Sequence, residues 1–322
     1  MKVATAQFEH RSGDIEYNLN RVIALTMEAA NSGCELVAFP ECCLTGYWYL
    51  RNLDRAALVA LAEELVDQAV LERVGETARK HRISIGVGYV EFDQQIGKLF
   101  NAYSLIGPDG ELARHRKIHC FVSPHLDSGD NFTVFKLPNG RLCGILTCYD
   151  NNIIENVRAT ALAGAEILIA PHQTGGCNSG SPHAMGLVDA EVWNNRREVP
   201  DAIETELKGD KGRGWLMRWL PARAHDNGLF LIFSNGIGWD DDEIRTGNSM
   251  VIDPYGRIIR ETYYAGDALV TAVLDFSIQK SSTGRRWLRV RRPELYGSLI
   301  TEVENRESTR EVRFEHLQQK KV

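Results

Sequence analysis

The run RLCGILTCYDNNIIENVRATALAGAEILIAP, residues 141–171, carries the fold in small compass. RLCGILTC is short, apolar and partly β-branched, the composition of a strand. NNIIENVRATALAGA has the spacing of a helix, and EILIAP is a second strand stopped by Pro171. A strand, a helix and a strand in succession indicate α/β architecture. Cys148 stands where the first strand hands over to the helix. Such a turn aims a side chain outward while backbone N–H groups at the helix start point the same way. The positive end of a helix also favours the thiolate. An ordinary thiol, with a pKa of about 8.5, is only slightly ionised at neutral pH, so an efficient nucleophile needs a base nearby.

The same theme extends to both sides. Upstream, KVATAQF reads as a strand. GDIEYNLNRVIALTMEAANSG reads as an amphipathic helix with Ile15, Leu19, Val22, Ile23 and Met27 on its apolar face and Gly33 just past its end. CELVAFP is a short strand ended by Pro40, and a second helix is expected over about residues 63–81. ISIGVGYVEF and KLFNAYSLI are strands joined by the polar DQQIG, and GPDGELARHRK turns into another. Downstream, RGWLMRWLPARAHDNG is helical in part, with Pro221 demanding a kink or a fresh start. LFLIFSNG is a strand, NSMVIDPYGRIIRET a hairpin around residues 253–256, and DALVTAVLDF a closing strand. Mixed strand pairs beside helix–strand repeats imply sheets covered by helices on their outer faces.

The 322 residues, 43% hydrophobic and 25% charged, suit a water-soluble globular chain. A net charge of -6 gives no support to a nucleic-acid partner. No apolar run approaches the roughly 20 residues that cross a bilayer, and the opening MKVATAQFEH lacks a secretory h-region, so the expected location is cytoplasmic. The seven cysteines, at 34, 42, 43, 120, 143, 148 and 177, are then expected as reduced thiols. They form no Cys-x-x-Cys pair, so zinc ligation finds little support. Residues 173–214 form a long, weakly periodic segment, a feature more often functional than incidental. Residues 281–322 are expected as an extension docked on the body or on a partner subunit, with the main domain over 1–280.

Two other strand ends bear groups able to serve the Cys148 thiol. LVAFPE places Glu41 beyond an apolar strand, where a carboxylate can take up a thiol proton. RHRKIH places Lys117 at the end of another, where an ammonium can stabilise an oxyanion. The plain alternatives are a carboxylate capping local N–H groups and a surface lysine. Taken together, FPECCLTGY, RKIHCF and LTCYDNN resemble, in that order, the three signature segments of the nitrilase superfamily of carbon–nitrogen hydrolases. The resemblance extends from KVATAQF through LAGAEILIAP and PARAHDNGLFLIFSN to RRPELY, ending near Tyr296.

This resemblance implies a four-layer α-β-β-α sandwich, paired with a second copy through helices near the nucleophile. It implies Glu41 as general base, Lys117 as oxyanion-holding cation and Cys148 as nucleophile, with the Tyr149 N–H as a second oxyanion donor. Tyr47, Tyr149 and His172 are the expected substrate contacts, and His183, Trp193 and Trp215 are further candidate wall positions. Arg196 and Arg197 are candidates to grip a carboxylate. The reaction implied is hydrolysis of a small carboxamide through a thioester, releasing ammonia, with no metal or organic cofactor required. N-carbamoyl compounds and nitriles remain open, although Cys-Tyr-Asp at 148–150 departs from the Cys-Trp-Glu of true nitrilases. Many members carry another glutamate after the lysine. CFVSPHLDSGDNF contains none, and His125 or Asp127 is the nearest substitute. Two rivals are a silent binding scaffold and acyl transfer to an amine.

Overall fold

The computed structural model of the chain describes residues 1–300 and 307–319. The first sheet contains β1 (Lys2–Gln7), β2 (Leu36–Ala38), β3 (Ser84–Asp93), β4 (Lys98–Gly107) and β5 (Gly110–Arg116). The second contains β6 (Thr133–Lys136), β7 (Leu142–Ile145), β8 (Ile167–His172) and β9 (Phe230–Asn235). The chain then forms a ribbon of β10 (Ile237–Asp240) and β11 (Glu243–Thr246) before β12 (Met250–Ile252) and β13 (Ile258–Glu261) complete that sheet. A last strand, β14 (Ala268–Val273), returns to pair antiparallel with β1. The spatial orders are β14-β1-β2-β3-β4-β5 and β13-β12-β9-β8-β7-β6. Parallel pairing is confined to β1-β2-β3 and β7-β8-β9, where helical crossovers make it possible.

Alternation along the central strands sets the layers. Ile167 and Ile169 of β8, with Phe230 and Ile232 of β9, meet Val3, Leu36 and Leu105 of the first sheet. The residues between them, Leu168, Ala170, Leu231 and Phe233, face the opposite way. Polar groups on the inner faces pair across the sandwich: Thr5 Oγ1 donates to the Phe233 carbonyl at 2.9 Å. Helices α1 (Ile15–Asn31), α2 (Arg55–Asp67) and α3 (Val70–His81) cover the first sheet. Behind the second lie α4 (Tyr149–Asn152), α5 (Ile154–Leu162) and, past α6 (Ala190–Asn194) and α7 (Pro200–Lys208), α8 (Arg213–Leu216) and α9 (Leu220–His225). The result is the four-layer α-β-β-α sandwich.

Local chemistry explains the boundaries. The Asp14 carboxylate caps α1, accepting from the Tyr17 N–H at 3.1 Å, and Gly33 follows the helix at φ 78°. Met27 lies 40% exposed, off the buried stripe. The single helix expected over residues 63–81 is two helices: Asp54 caps α2, and Ala69, at φ 51°, turns the chain before α3. Pro221 opens α9 afresh. Residues 173–214 are less irregular than their sequence, because Trp193, Ile203 and Leu207 of α6 and α7 form a small core with Ile237 and Ile244 of the ribbon. Beyond α10 (Thr283–Arg289), α11 (Thr309–Gln319) lies on the body. Phe314 rests against Trp48 and Phe121, with ring centroids 6.1 and 6.2 Å away, and Arg310 donates to the carbonyls of Phe121 and Val122. No helix among the described residues is long and apolar enough to cross a membrane.

Candidate active site

Glu41 follows β2 on a turn that lies flat against β3. Phe39 N donates to Gly86 O at 2.9 Å and Leu44 N to Gly88 O at 3.0 Å. A Cβ at Gly88 would stand 2.3 Å from the Cys42 nitrogen, so this approach requires glycine. Lys117 follows β5, its N–H donating to the Asn101 carbonyl at 2.9 Å. The Asn101 side chain in turn donates to Glu41 Oε1 at 2.6 Å, the same oxygen that receives Lys117 Nζ at 2.6 Å. The carboxylate is 0% and the ammonium 1% exposed. Two charges this deeply buried are tolerable only as a pair. Burial works against the Lys117 ammonium, but Glu41, Tyr47 and Cys148 outweigh it and hold its pKa well above that of a free lysine.

Cys148 comes from the second sheet. Its N–H donates to the Pro171 carbonyl at 2.9 Å, extending the β7–β8 pairing, and its backbone is held at φ 50°, ψ −106°. Non-glycine residues rarely adopt that conformation, which typically costs about 1–3 kcal/mol. It turns the thiol toward the Glu41–Lys117 pair. The expectation that the helix end favours thiolate is overturned. Burial, followed by the Glu41 carboxylate, pushes the thiol up to about 12 despite the opposing pull of Lys117. With only four residues, α4 has little dipole to set against burial. The resting sulfur is therefore a thiol that requires a base.

Asp150, two residues beyond the cysteine, joins the halves of the site. Its Oδ1 accepts from His119 N at 2.7 Å, and its Oδ2 from Ile118 N and His115 Nε2, both at 3.1 Å. Burial opposes this carboxylate, yet His115 and Lys117 hold its pKa below the usual value. The loop after Lys117 is thus tied directly to the helix after Cys148.

A cavity of about 420 Å³ opens onto Cys148, walled by Tyr47, Trp48, Tyr149, Trp215 and Trp219. Tyr47 and Tyr149, two of the expected substrate contacts, line it, as does Trp215. The third, His172, does not: its ring lies behind the wall against Phe233 and Trp219, at 4.8 and 5.9 Å, because it ends β8 on the helix-covered face. Burial and Lys117 hold its pKa well below the ordinary value, so the ring is neutral. Trp193 is core, His183 is exposed, and Arg196 binds the Trp193 and Ala265 carbonyls. Arg197 is exposed. Neither proposed stand-in for the extra glutamate reaches the cavity; Asp127 faces outward against Lys98 at 3.3 Å. The carboxylate that does line it is Glu243 of β11.

The carbon-nitrogen hydrolase family model matches residues 2–280. The chain belongs to the carbon–nitrogen hydrolase family. An (R)-stereoselective amidase from a Pseudomonas species is 29% identical over 303 residues, covering 92% of this chain and 93% of the relative. An omega-amidase of Xenopus laevis is 32% identical over 289 residues, covering 85% and 88%. In the solved fold of an amidase from Nesterenkonia sp. AN1, the TM-score is 0.69 at 22% identity, over 93% of this chain and 97% of that one. That structure carries the acetamide moiety of fluoroacetamide added covalently at its active-site cysteine.

Within this hydrolase, sequence reasoning missed Asn101, Asp150 and Arg245. Asp150 had a visible signal, a carboxylate beside the nucleophile. Asn101 lay unmarked inside a strand. Glu243 and Arg245 alternate with Ile244, the two-residue period that puts both charges on one face of β11.

Proposed function

We propose that this chain is an amidase that hydrolyses a small carboxamide through a Cys148 thioester. The observation that carries the reading is a buried carboxylate–ammonium pair from one sheet set beside a thiol from the other, at a cavity that the thiol lines. Glu41 takes the Cys148 proton as sulfur attacks the carbonyl carbon. The C=O electron pair moves onto oxygen, where Lys117 and the Tyr149 N–H stabilise it. Collapse breaks the C–N bond, Glu41 returns the proton to nitrogen, and ammonia leaves. Water, deprotonated by Glu41, then attacks the thioester, and the carboxylic acid departs with the thiol restored. The buried Glu41–Lys117 pair also argues against a silent scaffold, which would gain nothing from two desolvated charges.

On this reading, residues 1–280 are the hydrolase domain and 281–322 an extension of which α11 lies on the body. The seven cysteines are all buried and free, consistent with a cytoplasmic setting. Pairing of two copies through α5 is supported by its exposed Ile154 and Leu162, beside exposed Leu299 and Ile300. Sedimentation should give about twice the 36.1 kDa chain mass, and a monomer at micromolar concentration would refute the pairing.

The deciding experiment measures ammonia release from carboxamides, N-carbamoyl compounds and nitriles, with the Cys148→Ala protein alongside. Carboxamides should be the best substrates and the variant inactive; full turnover by Cys148→Ala would end the mechanism. Intact-mass measurement of the rapidly quenched wild-type protein with substrate should reveal the acyl adduct, and Glu41→Gln, which lacks the base for the thiol, should form it far more slowly. Product analysis with an added amine separates hydrolysis from acyl transfer.

A further inference from the structure

The cavity has an end that the mechanism does not use. Arg245, on β11, is 2% exposed and lines the cavity wall. Its Nε donates to Asp240 Oδ2 at 2.8 Å, and its Nη1 lies 2.9 Å from Glu243 Oε2. Nη2 is buried and has no hydrogen-bond partner among the described residues. Arg313, from α11, reaches the same cavity. Its Nη2 donates to the Asn178 carbonyl at 2.9 Å, while its buried Nη1 has no partner among the described residues. A buried guanidinium N–H left unmatched is costly, so two at one cavity mark a place for an acceptor. Glu243 lies beside them: its Oε1 accepts from the Asn178 N–H at 3.0 Å, while its Oε2 pairs with the Arg245 charge at 2.9 Å and has no hydrogen-bond partner among the described residues. Tyr47 stands between this end and the reacting one, its ring centroid 5.9 Å from the Arg245 guanidinium carbon and 5.5 Å from Lys117 Nζ.

We infer that Arg245 and Arg313 form an anion-binding end of the cavity, so that the substrate carries a carboxylate a few atoms from the carbonyl attacked by Cys148. The inference rests on the amidase reading and names its substrate class. Arg313 belongs to α11, which lies beyond the family-matched residues 2–280. Trp48 and Phe121 shield the site from water, which strengthens a guanidinium–carboxylate contact.

The test compares succinamate, its methyl ester and N-carbamoylglycine. The wild-type protein should favour succinamate over the ester by about tenfold or more in kcat/KM. Arg313→Met should raise KM for succinamate about tenfold with kcat little changed, collapsing that preference, and Arg313→Lys should restore part of it. Arg245→Lys, which keeps a cation between Asp240 and Glu243, should do the same, with circular dichroism checking its fold. Equal use of acid and ester, or equal losses on both in Arg313→Met, would overturn the inference while leaving the amidase reading intact. Calorimetry of succinamate binding to Cys148→Ala separates the two in the other direction. Salt-sensitive binding that Arg313→Met weakens supports the subsite even without turnover, whereas no binding overturns it. Preference for N-carbamoylglycine would uphold the anion end and replace the carboxamide.

Discussion

At Cys148 the backbone strain and the raised thiol pKa have separate, measurable consequences. A φ of 50° is uncomfortable for any side chain, so alanine inherits the strain when it replaces cysteine and glycine does not. Cys148→Gly should therefore be more stable than Cys148→Ala by about 1 kcal/mol, the relieved strain less glycine's larger entropy loss. Urea unfolding of the two inactive proteins measures this, and equal midpoints would show that the turn is unstrained. The thiol itself is pushed up to about 12. An ultraviolet difference spectrum between wild type and Cys148→Ala should show no thiolate at pH 7 to 9; a band titrating near 8.5 or below would refute that. The folded pKa lies above the unfolded value of about 8.5, so this thiol's contribution to stability is complete below pH 8.5 and is lost as pH rises toward 12. Glu41, Lys117 and Cys148 could be picked out as the candidate triad because strand ends carry reactive residue types in recognisable context. The electrostatics were not, because burial is a property of the assembled sandwich and reversed the influence expected from a helix end.

The β10–β11 ribbon was the element least visible in sequence. Its strands are short and interrupted by charge, so they offer no apolar run to read, yet Asp240, Glu243 and Arg245 are all buried. The main strands and α1 were legible from apolar period and turn chemistry. The 63–81 helix was misread because Ala69, an ordinary helix former, gives no hint of a left-handed turn. Asp240 is the ribbon's keystone: it accepts from Trp48 N at 2.8 Å, Arg245 Nε at 2.8 Å and His10 Nε2 at 3.1 Å. Burial opposes its charge, but Arg245 and His10 hold its pKa far below the usual carboxylate range. A depressed folded pKa gives stability that is present above the unfolded value of about 3.9 and is lost as pH falls through the folded one. Asp240→Asn should thus cost about 3–5 kcal/mol at pH 7, by leaving Arg245 short of a partner. The gap from wild type should shrink below pH 4. Denaturant unfolding at pH 7 and pH 3 checks both, and a gap independent of pH would assign the loss to hydrogen bonding alone.

Across the whole molecule, the four layers form one unit and α11 is laid upon it after the family-matched region has ended. An isolated helix of 11 residues is marginal in water, so α11 owes its form to docking. Its contacts include Phe314 on Trp48 and Phe121, Arg310 on two loop carbonyls and Arg313 on the Asn178 carbonyl. Phe314 touches the core behind the first sheet only through Trp48 and Phe121, and none of these contacts reaches the core between the sheets. A chain ended after Ile300 should therefore keep its thermal midpoint within a few degrees, since roughly 1 kcal/mol shifts a chain of this size by about 2–4 °C. The same truncation uncovers Trp48 and removes Arg313 from the cavity wall. KM for the preferred amide should rise about tenfold or more, and tryptophan emission should shift to longer wavelength. A brace would behave differently. Its removal would lower the midpoint sharply and reduce kcat for every substrate by a similar factor, because Phe121 and Val122 follow the strand end that carries Lys117. Steady-state kinetics and a melting curve on the truncated chain decide between wall and brace, and the placement of α11 over the cavity favours the wall.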